Sequence, residues 1–180
     1  MADVSGAERY ANTMRTMFDD LLHANDTYAE GFALDGIPPT AAKGFALVTC
    51  MDSRIEPLAM LGLVPGDAKI LRNGGARVTP DVLRGLVLAT HFLGVREIAV
   101  MQHTNCALAG QSDDDVRTRL AESGVDDVAE WEFLAMPDPD AALHADVARV
   151  RACAQLARGV RVEGWRYDVA TGRILRLVPS

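Results

Sequence analysis

Apolar residues along this chain follow two rhythms. Near the start, Met14, Met17, Phe18, Leu21 and Leu22 recur at i, i+3 and i+4, so the first ~30 residues read as one amphipathic helix. Gly36-Ile37-Pro38-Pro39 then interrupts the pattern as a loop. Phe45-Ala46-Leu47-Val48-Thr49 is a continuous apolar run ending at Cys50, the form of a strand buried within a parallel sheet. Ala68-Lys69-Ile70-Leu71 is a second, weaker strand before a turn at Arg72-Asn73-Gly74-Gly75. Thr79 as N-cap, Pro80 at the first helical position and Asp81 in the first turn open a helix. Val82, Leu83, Leu86, Val87, Ala89, Thr90 and Leu93 carry it to a cap at Gly94. Glu97-Ile98-Ala99-Val100-Met101 is a third strand that runs straight into His103.

The remaining pattern is helical and then extended. Ser112-Asp113-Asp114-Asp115 resembles a capping box opening a helix to about Ser123, and the Ala-rich stretch 140–158 predicts another. Residues 160–169 and 173–178 read as two strands around the Ala170-Thr171-Gly172 turn. Strands alternating with helices predict an α/β fold with a parallel core sheet. With 180 residues, 49% of them hydrophobic, the chain is expected to form a single domain, 1–180, with a sizeable core.

Composition narrows the class of partner. The formal net charge of −7 argues against nucleic acid and anionic membrane surfaces. No apolar run approaches the ~18 residues of a spanning helix. Met1-Ala2-Asp3-Val4-Ser5 lacks the basic and apolar regions of a signal peptide, so a cytoplasmic location is expected. Three cysteines make an odd, scattered set, suited to metal binding or packing rather than to a disulfide framework.

Two of those cysteines lie in segments with chemical potential: Cys50-Met51-Asp52-Ser53-Arg54 and His103-Thr104-Asn105-Cys106. Cys50 and His103 each follow a predicted strand, and open α/β sheets bind ligands outside the carboxyl ends of their strands. Two thiolates and one imidazole are the ligand set of an open zinc site, whose fourth position goes to water or substrate. Each part has a plainer alternative. Cys50 suits a buried small hydrophobe, His-x-x-Cys spacing arises by chance, and Asp52–Arg54 reads equally as a surface pair worth ~0–1 kcal/mol.

Cys-x-Asp-Ser-Arg followed some fifty residues later by His-x-x-Cys resembles the β-class carbonic anhydrases. The resemblance extends to Gly62-Leu63-Val64-Pro65-Gly66-Asp67-Ala68, Leu71-Arg72-Asn73-Gly74-Gly75, Leu93-Gly94-Val95 and the run from Val162 to Arg173, and so covers residues 41–178. It implies Zn²⁺ held by Cys50, His103 and Cys106, and an Asp52–Arg54 dyad serving a zinc-bound hydroxide that hydrates CO₂ to bicarbonate. In the family's closed form the Asp itself becomes the fourth ligand. The resemblance also implies a mostly parallel sheet with one antiparallel edge strand, flanked by helices. A homodimer or dimer of dimers follows in the same way, with an N-terminal helical arm (1–35) on the partner.

Three positions depart from the family pattern: Ala107 for Gly after the last Cys, Gln102 for Gly before the His, and Gly74 in a run that commonly reads Arg-Asn-Ala-Gly. A left-handed or crowded position 107 would displace the loop that carries Cys106. Gly74 and Gly75 form either a plain turn or a backbone approach to substrate. Two rival functions stand beside CO₂ hydration: hydrolysis of CS₂ or COS on the same fold, and a catalytically weak zinc protein acting as sensor or structural partner. Of the other candidates, His23 and His144 read as exposed, and His91 as a cation at a helix end. Cys153 reads as packed in an Ala-rich helix, Asp113 to Asp115 as a solvated helix start, and Met14 and Met17 as packing residues.

Overall fold

A computed structural model describes residues 16–180, and Met14 lies outside them. The chain divides into two compact units with the boundary between Ile37 and Pro38. The first holds α1 (Met17–Glu30), opened by a capping box in which Thr16 accepts from the Asp19 N–H and Asp19 accepts from the Thr16 N–H. No residue of α1 is buried. Met17, Phe18, Leu21 and Leu22 are 60–77% exposed, so Met17 does not pack within the chain as its spacing suggests.

The second unit is the α/β fold expected. Its elements are β1 (Phe45–Cys50), α2 (Pro57–Met60), β2 (Ala68–Asn73), a 3-10 turn (Gly74–Ala76), α3 (Pro80–Phe92), β3 (Glu97–His103), α4 (Asp113–Glu122), α5 (Pro139–Arg151), β4 (Arg161–Tyr167) and β5 (Ile174–Val178). The sheet order is β2-β1-β3-β4-β5, parallel except for the β4–β5 edge pair. The chain leaves β1 to one side for β2 and returns to the other for β3, so the switch point lies between the carboxyl ends of β1 and β3.

Strand alternation divides the core. Ala46 and Val48 of β1, Ile98 and Val100 of β3, and Val162 of β4 pack against Leu86 of α3 and Leu143, Val147 and Val150 of α5. Each such fully buried aliphatic side chain contributes about 1.5–3 kcal/mol. Leu47, Ala99 and Met101 face the other side with Ile55 and Tyr167. Buried Thr49 cross-links β1 to β3 by donating to the Met101 carbonyl at 3.1 Å.

Several boundaries differ from the periodicity. β1 and β3 run on to include Cys50 and His103, because the neighbouring strands continue the ladder to Cys50–Asn73 and His103–Tyr167. α2 and the 3-10 turn are too short to leave a period. α5 ends at Arg151 rather than near 158, since the following backbone bonds α3 instead: the Ala157 N–H donates to Thr90 Oγ1 and the Gln155 carbonyl meets His91 Nε2. Cys153 therefore lies outside the helix and is half-buried, not packed in its core.

Candidate metal centre

β1 delivers Cys50 to the switch point, and the chain then turns sharply. The Ile55 N–H donates to the Asp52 carbonyl at 3.1 Å, and Ile55 is fully buried beneath the turn. Asp52 Oδ1 accepts from the Arg54 backbone N–H at 2.9 Å, an Asx-type turn. The Arg54 guanidinium closes a fork on the same carboxylate, Nε to Oδ1 at 2.9 Å and Nη2 to Oδ2 at 2.7 Å. Its Nη2 also donates to the Asn105 carbonyl at 3.1 Å, tying the first segment to the second. Arg72, on β2, braces the turn from beside by donating to the carbonyls of Cys50 (2.9 Å) and Asp52 (2.7 Å).

β3 delivers the imidazole. His103 Nδ1 lies 2.9 Å from the Thr104 carbonyl, which assigns it the donor proton and leaves Nε2 with a free lone pair. Asn105 takes φ +56°, tolerable for an Asn, and so turns Cys106 back toward His103. The two sulfurs and the imidazole nitrogen lie within 4.8 Å of one another. A tetrahedral Zn²⁺ with ordinary bond lengths separates such atoms by about 3.6–3.8 Å, so little movement is needed to seat one. Among the described residues this is the one group of His, Cys, Asp and Glu side chains so placed.

His103 Nε2 is buried and has no hydrogen-bond partner, a state that normally costs free energy unless a ligand compensates it. It lies 3.9 Å from Asp52 Oδ2. The electrostatics converge on Cys50, whose thiol is acidified by a hydrogen bond from Cys106, by His103, and by the backbone N–H groups of Asp52 and Gly75. Cys106 is pushed up by the same contact with Cys50 and by burial, and His103 is raised by Cys50. The Arg54 fork holds the Asp52 carboxyl well below the usual range. Soft sulfur donors, an imidazole with its second nitrogen anchored, and an unpartnered Nε2 together fit zinc.

The departures at Gln102 and Ala107 now have structural accounts. Gln102 points to the opposite face from His103. Its amide donates to the Pro139 carbonyl (2.8 Å) and accepts from the Leu143 N–H (3.3 Å), so it anchors α5 rather than serving the site. In the loop that carries Cys106 the left-handed residues are Asn105 and Gly110, not Ala107, so position 107 needs no glycine for its φ. Gly74 and Gly75 form a tight turn, with Gly75 at φ +75° and its N–H turned to Cys50. A Cβ at Gly75 would stand 3.2 Å from Met136 Cε.

A cavity of about 440 Å³ opens beside Cys50, Asp52 and Cys106, and the rest of its lining is apolar: Met51, Gly74, Gly75, Ala107, Leu108 and Phe133. A hollow of about 490 Å³ at the other end of the strands, bordered by Lys43, Phe45, Glu97, Arg161 and Trp165, contains no His or Cys. His23 and His144 are exposed, as expected, and His91 stands exposed in the last turn of α3. Asp113 to Asp115 do open α4, but Asp113 also accepts from the Phe133 and Ala135 N–H groups, so it is not merely solvated. Sequence reasoning assigned no role to Arg72 or Phe133. Arg72 lies in a stretch that carries the family resemblance, whereas Phe133 has no local signal.

A carbonic anhydrase family model matches residues 45–131. "Beta-carbonic anhydrase 1" of Mycobacterium bovis is 33% identical over 165 residues, covering 91% of this chain and 99% of that protein. The crystal structure of the carbonic anhydrase from Streptococcus mutans superposes with a TM-score of 0.84 at 33% identity, covering 92% of this chain and 99% of that one. The "Carbon disulfide hydrolase" of an Acidianus strain is 30% identical over 151 residues, covering 71% of this chain and 74% of that protein.

Proposed function

The chain belongs to the β-carbonic anhydrase family of enzymes, and from that premise we propose that it hydrates CO₂ reversibly to bicarbonate and a proton. Zinc is its cofactor, held by Cys50, His103 and Cys106. The observation that carries this is the convergence of those three donor atoms within 4.8 Å, with His103 Nε2 otherwise unpartnered. Zinc bound there supplies the Lewis acidity that brings the pKa of a coordinated water toward ~7.

The chain's own residues do the rest. Asp52, kept ionised by Arg54, is an acceptor only, and it takes a hydrogen bond from the reacting water so that a lone pair faces the carbon of CO₂. Arg54 occupies both oxygens of Asp52, which supports an open arrangement with Asp52 held off the metal. The apolar wall of Met51, Ala107 and Leu108 receives a linear, nonpolar substrate without competing hydrogen bonds and releases the charged product. The proton passes to buffer.

The exposed face of α1 supports a homodimer or dimer of dimers in which residues 1–35 serve as an arm on a second copy. No helix among the described residues is long and apolar enough to cross a membrane, and the three cysteines are free, which suits a cytoplasmic enzyme. Stopped-flow CO₂ hydration from about pH 6.5 to 9, on protein of measured zinc content, tests the assignment. Activity rising with pH at about one zinc per chain is expected, and zinc without hydration anywhere in that range refutes it. The Acidianus relative makes hydrolysis of CS₂ or COS the second reading, which hydrogen sulfide release detects.

A further inference from the structure

Residues 131–136, between α4 and α5, form a strap that places Phe133 in the wall of the cavity that Cys50, Asp52 and Cys106 also line. The strap is pinned along its length. Asp113 accepts from the N–H groups of Phe133 and Ala135, both at 2.8 Å, and Arg117 donates to the Trp131 carbonyl at 2.8 Å. Arg77 donates to the Leu134 carbonyl at 2.5 Å and is itself held by buried Asp146 at 2.6 Å. Met136 exchanges backbone bonds with the loop that carries Cys106, its N–H to the Leu108 carbonyl (2.8 Å) and its carbonyl from the Gly110 N–H (2.7 Å). Leu134 takes φ +57°, a conformation costing a bulky residue about 1–3 kcal/mol, which persists only where the surroundings over-determine it. Joining two helices requires none of this. Its product is a phenyl ring held in one place, stacked on Trp131 at 6.3 Å.

CO₂, COS and CS₂ are all linear triatomic molecules with little capacity for hydrogen bonding, and they differ chiefly in length. A polar group cannot sort them, so discrimination falls to the apolar wall. We propose that Phe133 is the specificity-determining residue of this site. Its ring limits the cavity so that CO₂ is accommodated and the longer sulfur analogues are disfavoured, and Asp113 is the positioning residue that keeps the ring there. This rests on the CO₂-hydrating function proposed above.

The test compares zinc-loaded wild type with Phe133→Ala, Phe133→Leu and Asp113→Ala. CO₂ hydration is followed by stopped flow, and COS or CS₂ hydrolysis by sulfide release. Each COS takes one water to give CO₂ and H₂S, and each CS₂ takes two waters to give CO₂ and two H₂S. The ratio of kcat/KM for COS to that for CO₂ should rise about ten-fold or more in Phe133→Ala, the scale of one methylene's worth of pocket selectivity. It should rise less in Phe133→Leu, and in the same direction in Asp113→Ala, which leaves the ring intact. A loss of stability alone would lower both rates and leave their ratio unmoved. Ratios within about twofold of wild type in both Phe133→Ala and Asp113→Ala overturn the inference. Xenon binding, read by ¹²⁹Xe NMR, supplies a measure independent of catalysis: Phe133→Ala should bind it more tightly in the enlarged apolar cavity. Unchanged xenon affinity also overturns the inference, whereas wild type that fails to hydrate CO₂ overturns only the function on which it rests.

Discussion

Replacing Arg77 by Met should be among the most damaging single changes outside the proposed metal ligands. Asp146 is fully buried on α5 and its Oδ2 is held by Arg77 Nε at 2.6 Å, while its Oδ1 has no partner. Without Arg77 the carboxylate is buried with no compensating charge, a change that costs about 3–5 kcal/mol. For a chain of 180 residues that corresponds to a fall in Tm of about 6–20 °C. The double variant Arg77→Met/Asp146→Leu removes both charges and should recover most of the loss, giving a coupling of about 2 kcal/mol or more. Urea denaturation followed by circular dichroism, at fixed protein and zinc concentrations, measures all four corners of the cycle. Additivity within about 0.5 kcal/mol would refute the reasoning.

Asp52→Asn should retain zinc by elemental analysis yet lose hydration by about 10²-fold or more, since the amide no longer accepts as a carboxylate does; wild-type activity would sink the role given to the dyad. Cys50→Ser should lose the metal, because one soft thiolate of three ligands is gone. Gly164→Ala should destabilise by about 1–3 kcal/mol, because its Cβ would stand 2.8 Å from Val178 Cγ2 and 2.9 Å from Val147 Cγ2; an unchanged urea midpoint would contradict it. Burial raises the Asp113 carboxyl, but the N–H groups of Ala135, Phe133 and Leu134, with Arg117, bring it below its usual value. Its stabilisation is thus complete above the unfolded pKa of ~3.9 and is lost as pH falls through the folded value. Hydrogen-exchange protection at Phe133 and Ala135 should hold from neutral pH to about 5 and fail only below about 4.

Much of the site was legible in local patterns because its ligands come from two short segments. An apolar run that ends in Cys50 and another that ends at His103 mark strand ends, and a parallel sheet collects ligands there whatever its other details. Caps at Thr79 and Ser112 were equally local, since a side chain and a backbone N–H three residues on settle them. What stayed hidden was set by partners distant along the chain. α5 stops early because α3 accepts the bonds of the segment after it, and Gln102 departs from the family pattern without consequence for the metal because it bonds α5.

The sequence by itself determined the fold class and, through two short motifs and the family resemblance they carry, singled out Cys50, His103, Cys106, Asp52 and Arg54, because hydrophobic periodicity and residue type are properties of short stretches. Only the tertiary structure decided that Nε2 of His103 faces the two sulfurs, that Arg54 grips both oxygens of Asp52, and that Phe133 lines the cavity. Those facts depend on strands and loops tens of residues apart meeting at the switch point. The buried Arg77–Asp146 pair, separated by 69 positions, has no signature in one dimension. Its two charges meet only after the sheet has formed and α5 has packed on it.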